Sequence, residues 1–260
     1  MKYDRGCYSN YLESIQMCLN MINTLKIKYP GNARPILYIY IVPDDNYSKL
    51  LKIPSTFDKG KGGGKPVRCY DLDGFNSAYG LSQNMLENKL EKDKNISRIE
   101  NKIHELSHII HSQFFMTNQT ICEGFAEALP LFALGLEESF TEHREAMKKP
   151  SEDQILSAQE LLNSEENGSF GAEILIPNRS CSFRTSYISS YLLIRGCMKA
   201  IISKYNFSKI QAVQYFLEIV KQSTCRNEWL IYDIANAIGI SKEELLNGKQ
   251  MQKSILNSLI

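Results

Sequence analysis

Long apolar runs are missing from this chain of 260 residues. No run reaches the roughly 18 apolar residues that a helix needs to cross a bilayer. The N-terminal sequence Met-Lys-Tyr-Asp-Arg-Gly-Cys also lacks the apolar stretch that is typical of a signal peptide. We therefore expect a cytoplasmic protein that does not have a membrane as its partner.

An excess of charge of either sign is missing as well. The formal net charge is +1, so the chain lacks the basic excess by which many proteins bind nucleic acid, and we expect no such partner. The seven cysteines are odd in number, irregularly spaced and without a C-x-x-C pair. This pattern indicates scattered reduced thiols, which favours a cytosolic compartment.

Histidine is scarce, and three of the four histidines lie in one short segment. His104-Glu105-Leu106-Ser107-His108 is an H-E-x-x-H string. Residues four apart share one face of a helix, so the two imidazoles can reach one Zn²⁺ at about 2 Å. Glu105 would then reach a water held by the metal without being a ligand, which is typical of zinc hydrolases.

The third histidine of the segment, His111, fits this site less well. On a straight helix it lies about 10 Å along the axis from His104, at 1.5 Å per residue. One metal ion cannot easily bind both residues from an unbroken helix. We expect His111 to be a core residue or a support for a ligand.

A hydrolytic zinc site needs a third protein ligand and one open position for water. The string Ile-Cys-Glu-Gly-Phe-Ala-Glu-Ala places Glu123 and Glu127 four residues apart on a predicted helix. We predict that Glu123 is the ligand and that Glu127 accepts a hydrogen bond from a ligating histidine. The alternative for Glu123 is a capping-box partner of Thr120, because Thr-x-x-Glu fits that pattern too.

Catalysis would need a base and a group that stabilises the oxyanion. Glu105 is the predicted general base, which takes a proton from the attacking water and returns it to the leaving amine. A tyrosine hydroxyl can stabilise the oxyanion beside the metal. Tyr187 and Tyr191 are both candidates, and with fourteen tyrosines in the chain composition does not choose between them.

Apolar periodicity and turn residues predict the order of the secondary structure. Strands are expected at 35–42, 67–72 and 78–81, with a lysine- and glycine-rich surface loop at 58–66. The predicted helices and the loop among them are a zinc-motif helix at 96–115, helices at 121–136 and 151–162, a loop at 164–182, helices at 186–204, 208–222 and 228–238, and a last helix that starts at Ser241. The strands are thus concentrated in the first hundred residues.

The two zinc segments resemble those of the gluzincins, the thermolysin and aminopeptidase N-like zinc peptidases. In that clan H-E-x-x-H is followed by a glutamate ligand in an Asn-Glu-Gly-Phe-Ala-like string, which Glu123-Gly124-Phe125-Ala126 matches. The resemblance implies that Glu127 supports the site and that Tyr187 stabilises the oxyanion, as the tyrosine of a Tyr-x-x-Gly helix does in larger members.

The chain departs from the clan pattern at three points. Ser190 stands where the tyrosine helix usually has glycine. Glu123 follows His108 by only fifteen residues, and Glu127 lies at the longer spacing of the larger aminopeptidases, which leaves the two ligand roles open to exchange. The Gly-Met-Glu-Asn signature of those aminopeptidases is absent before the zinc helix.

The resemblance and the predicted elements together imply an α+β fold. We expect a zincin-like N-terminal lobe over residues 1–117, with a small mixed β-sheet and the metal-binding helix. An all-helical C-terminal lobe would cover residues 118–260 and carry the third ligand. The two lobes would form one catalytic unit.

The expected function is zinc-dependent hydrolysis of a peptide bond in a peptide or protein substrate. The alternative is a zincin-fold binding or scaffold protein that keeps the metal site and cleaves nothing. A third hypothesis is a helical interaction module in which the two motif histidines form a core pair and bind no metal.

Overall fold

The chain divides by its internal contacts into two compact units, Met1–Ile109 and Ile110–Ile260. A computed structural model describes residues 20, 23, 37–42, 64–67, 77–82, 119–134, 151–167, 173–177, 179–222 and 227–258. The predicted lobe boundary at residue 117 and the zinc-motif helix at 96–115 lie outside the described residues. The zincin-like character of the N-terminal lobe therefore stays a prediction.

The described part of the first unit is a small mixed sheet. Its strands are β1 (Leu37–Val42), β2 (Gly64–Val67) and β3 (Ser77–Ser82), in the order β1-β3-β2. Strand β1 runs parallel to β3 and β2 runs antiparallel to it. Strand β2 begins inside the segment predicted as a loop, and it includes Pro66, which is suited to an edge strand because it has no N–H to donate.

The described part of the second unit combines helices with a second sheet. Its elements are α1 (Gln119–Leu134), α2 (Ala158–Leu162), β4 (Glu165–Asn167), β5 (Glu173–Ile176), β6 (Arg179–Ser182), α3 (Phe183–Tyr205), α4 (Lys209–Gln222), α5 (Asn227–Ile238), α6 (Lys242–Asn247) and α7 (Gln250–Ser258). Helices and two small sheets together agree with the predicted α+β class. Among the described helices, none is long and apolar enough to span a bilayer.

The second sheet shows that the prediction of an all-helical C-terminal lobe was wrong. Strands β4, β5 and β6 form an antiparallel sheet in that order, within the segment predicted as a loop. Ile174 and Ile176 are buried and Leu175 is exposed, which is the alternation of a strand with one covered face. The Glu-Glu-Asn of β4 has low strand propensity, so its conformation depends on pairing with β5.

The predicted helix at 151–162 was also wrong over its first half. Helix α2 begins only at Ala158, after the N-cap residue Ser157. The Ser157 hydroxyl accepts from the Glu160 N–H at 3.2 Å, and the Glu160 carboxylate accepts from the Ser157 N–H at 2.8 Å. This capping box fixes the start of the helix. The apolar residues Ile155 and Leu156 are buried outside any helix.

Helix α3 is the centre of the second unit, because α1, α4, α5 and α7 all pack on it. Its apolar side chains are buried nearly all round, as in a helix that is covered on every side. Ser182 caps its first turn, and Asn206 ends it in the left-handed conformation with φ of 53°. The predicted helices at 186–204, 208–222 and 228–238 are confirmed to within three residues at each end.

A buried polar network attaches the segment before α2 to α3 and α7. The Ser189 hydroxyl accepts from the Leu156 N–H at 3.0 Å and donates to the Thr185 carbonyl at 2.7 Å. The Gln252 amide of α7 donates to the Leu156 carbonyl at 2.7 Å. Both polar groups of the Leu156 backbone are thus satisfied inside the protein by side chains from two helices.

We predict that Ser189→Ala destabilises the second unit by about 1–3 kcal/mol, because it leaves the buried Leu156 N–H without an acceptor. Denaturant unfolding monitored by circular dichroism measures the change. Ser203→Ala, at an exposed position of the same helix, is the control and should stay within about 0.5 kcal/mol of the wild type. Equal stability of the two variants would contradict the role of the network.

Candidate metal centre

The predicted metal centre is only partly within the described residues. His104, Glu105 and His108 lie outside them, as does His111. Among the residues that the structure does describe, no group of three or more His, Cys, Asp or Glu side chains could hold a metal ion. The described residues therefore include only the half of the site that α1 and α3 would supply.

Glu123 lies in the first half of α1, in an apolar environment. Its exposed fraction is 7%, while Phe125, Ala126 and Ala128 are fully buried. A carboxylate at such a position needs compensation by a cation, by hydrogen bonds or by a proton. A metal ion is one such cation, so the burial of Glu123 suits a ligand better than a solvated capping residue.

Glu127 lies one turn further along α1 and is half-buried. Its spacing from Glu123 places both carboxylates on one side of the helix. The greater burial of Glu123 favours it as the ligand, and the position of Glu127 remains compatible with support of a ligating histidine.

Helices α1 and α3 approach each other very closely at the residue that follows Glu123. A Cβ atom built on Gly124 would lie 2.1 Å from the Ser190 Oγ, 2.4 Å from the Ser190 carbonyl carbon and 2.6 Å from its oxygen. Real side chains do not tolerate such distances, so only glycine allows the two backbones to meet in this way. Ser190 lies on the same stretch of α3 as the candidate tyrosines.

Tyr187 and Tyr191 lie on α3 three residues before and one residue after Ser190. Tyr191 is buried, with an exposed fraction of 5%, and the Arg195 guanidinium lies 5.8 Å from the centre of its ring. Tyr187 is only half-buried. A tyrosine that contacts substrate needs accessible surface, so the difference in burial favours Tyr187 over Tyr191 for the oxyanion role.

Ser190 was expected only as a departure from the clan pattern, and Gly124 only as part of the Glu-Gly-Phe-Ala string. In the structure the two residues form one contact, in which the glycine belongs to α1 and the larger residue to α3. The Ser190 hydroxyl is fully buried and has no hydrogen-bond partner among the described residues. A glycine inside a helix lowers the stability of that helix by about 1 kcal/mol relative to alanine. A glycine in a predicted helix was therefore the sequence signal of a close contact at this position.

The described thiols are poor candidates for metal ligands. Cys181 and Cys197 are free. Burial raises the pKa of Cys197 to about 12, and burial also raises the pKa of Cys181. Metal binding requires the thiolate, which neither residue carries near neutral pH in the metal-free protein.

The residues that would supply the third ligand fit a zinc ion by their chemistry. A carboxylate is a regular third ligand beside two histidines, and here it lies on a well-packed helix next to a tyrosine-bearing helix. Comparison of the chain with protein-family models, curated proteins and solved structures finds no match. The resemblance to the gluzincins thus rests on the motif residues themselves.

Proposed function

We propose that this protein is a zinc-dependent peptidase that hydrolyses a peptide bond in a peptide or protein substrate. His104, His108 and Glu123 would bind the metal, within a zincin-like arrangement of the N-terminal lobe. The observation that carries the proposal is the H-E-x-x-H string together with the buried Glu123 on α1. The contact of that helix with α3 at Gly124 supports it, because α3 supplies the candidate tyrosine.

Each proposed residue has one chemical role. Bound zinc would polarise the substrate carbonyl and lower the pKa of the attacking water. Glu105 takes the proton of that water as it attacks and passes the proton to the leaving amine. Glu127 orients a ligating histidine by accepting its second ring N–H.

Tyr187 would donate a hydrogen bond to the oxygen of the substrate carbonyl as negative charge develops there. A donor that is already oriented strengthens in the transition state at little reorganisation cost. The packing of α3 against five other described helices supports this role, because it would hold the tyrosine backbone in place. Tyr191, which is buried beside Arg195, would then be a packing residue.

We predict that Glu105→Gln abolishes most turnover while the protein still binds zinc. The amide cannot accept the proton, and loss of a general base costs about 10²- to 10⁴-fold in kcat. Cleavage of a peptide library, read by mass spectrometry, and zinc content of the same sample measure the two effects. Glu243→Gln, at an exposed position of α6, is the matched control and should retain wild-type turnover.

Full activity of Glu105→Gln would contradict the general-base role. If the zinc-loaded wild type cleaved no peptide in the library, the peptidase proposal would be wrong and a metal-binding scaffold would be favoured.

A matched pair of variants should distinguish the roles of the two tyrosines. We predict that Tyr187→Phe lowers kcat by about 10²- to 10³-fold with little change in KM, as for the loss of one oxyanion donor. Tyr191→Phe should keep kcat within a few-fold of the wild type and change mainly the stability. Steady-state kinetics on the best library peptide measures both. The reverse order of effects would assign the oxyanion role to Tyr191.

A further inference from the structure

Gly124 lies at a contact that any side chain would break. The nearest atoms to a Cβ at this position belong to Ser190, and two of the three are backbone atoms of α3 at 2.4 and 2.6 Å. Backbone atoms cannot rotate away as the end of a side chain can. A larger residue would therefore have to move α1 away from α3.

Because α1 is tightly packed around Gly124, such a movement would also displace its neighbour Glu123. The Phe125 ring stacks on Phe216 of α4 with 5.8 Å between ring centres. Ala126, Ala128 and Leu129 are fully buried. Protein interiors are close-packed and have few voids, so α1 cannot relax into free space around the contact.

The size of the movement can be compared with what a metal site tolerates. Non-bonded heavy atoms are in contact at about 3.5 Å, so relief of the 2.4 Å approach to the Ser190 carbonyl carbon needs a shift of about 1 Å. Ligand distances in metal sites hold to within about 0.2 Å. A shift of this size at Glu123 would exceed that tolerance several times.

We propose that Gly124 is a positioning residue, which sets the place of the Glu123 carboxylate for zinc through its backbone contact with Ser190. This inference rests on the proposed zinc site. It adds a role for two residues that are neither ligands nor catalytic groups. Ser190 determines how far α1 stands from α3, and Gly124 allows the approach.

Gly196, on α3, supplies a matched comparison for Gly124. A Cβ there would lie 2.9 Å from the Met251 Cβ and 3.5 Å from the Ile255 Cδ1, at the contact of α3 with α7. This contact also requires glycine, but it carries none of the candidate site residues. Gly196→Ala should therefore disturb packing without moving the Glu123 carboxylate.

The test compares zinc affinity in Gly124→Ala and Gly196→Ala. Competition with a chromogenic chelator measures the affinity, and thermal unfolding of the metal-free proteins measures the packing damage. The visible spectrum of the Co²⁺-substituted proteins reports the ligand geometry. We expect Gly124→Ala to lose about 10- to 100-fold in zinc affinity, as for other residues that orient a ligand, and to change the Co²⁺ spectrum. Gly196→Ala should lose stability and keep both properties.

Wild-type zinc affinity of Gly124→Ala, or an equal loss in Gly196→Ala at matched loss of stability, would overturn the positioning role and leave the proposed function intact. Absence of zinc from the reconstituted wild type would instead overturn the proposed function, and this inference with it.

If Gly124→Ala does not fold, Ser190→Thr tests the same contact from α3. The added methyl group widens the contact by less, so we expect about 3- to 10-fold weaker zinc binding, below the full effect of a displaced ligand support. Zinc affinity equal to that of the wild type in Ser190→Thr would overturn the positioning role.

Discussion

Helices α1 and α3 approach each other so closely at Gly124 and Ser190 that no side chain fits between their backbones. The functional candidates of this unit flank the contact on both helices. On α1, Gly124 follows the buried Glu123, and on α3, Ser190 lies between Tyr187 and Tyr191. The two groups that the proposed chemistry needs from this unit thus lie close in sequence to one contact.

The rest of the second unit holds α3 in place. Its apolar side chains are covered by α1, α4, α5 and α7, and Ser189 and Gln252 satisfy the backbone of Leu156 within the core. At its C-terminal end, Lys204 and Tyr205 both donate to the Ala237 carbonyl at 2.8 Å, where α5 ends. A cation and a hydroxyl at a helix C-terminus satisfy carbonyl groups that have no partner within the helix.

Local sequence signals are sufficient to predict part of this structure. The long helices follow from apolar periodicity, and the start of α6 follows from Ser241, whose hydroxyl accepts from the Glu244 N–H at 3.0 Å. The sheet of β4, β5 and β6 did not follow, because the strand conformation of Glu165–Asn167 depends on pairing with a strand further along the chain. The late start of α2 was missed because apolar residues before Ser157 continue a helical pattern that the capping box interrupts.

Part of the candidate site can be predicted from local sequence in the same way, and the rest depends on how the helices pack. The H-E-x-x-H string and the two glutamates are short motifs with fixed spacing, so the sequence alone predicts their roles. The contact between Gly124 and Ser190 joins residues far apart in the chain, and the preference for Tyr187 depends on burial that only the packed helices define. The sequence motifs therefore predict the ligands, while the packing of α1 on α3 indicates what would hold Glu123 in position.

The proposed peptidase requires that His104, His108 and Glu123 bind one zinc ion. Elemental mass spectrometry of the purified, reconstituted protein and of its His104→Ala variant measures this binding. We expect about one zinc per chain in the wild type, as a single catalytic site requires, and loss of that zinc in the variant. No zinc in the wild type, or the same zinc content in both proteins, would contradict it.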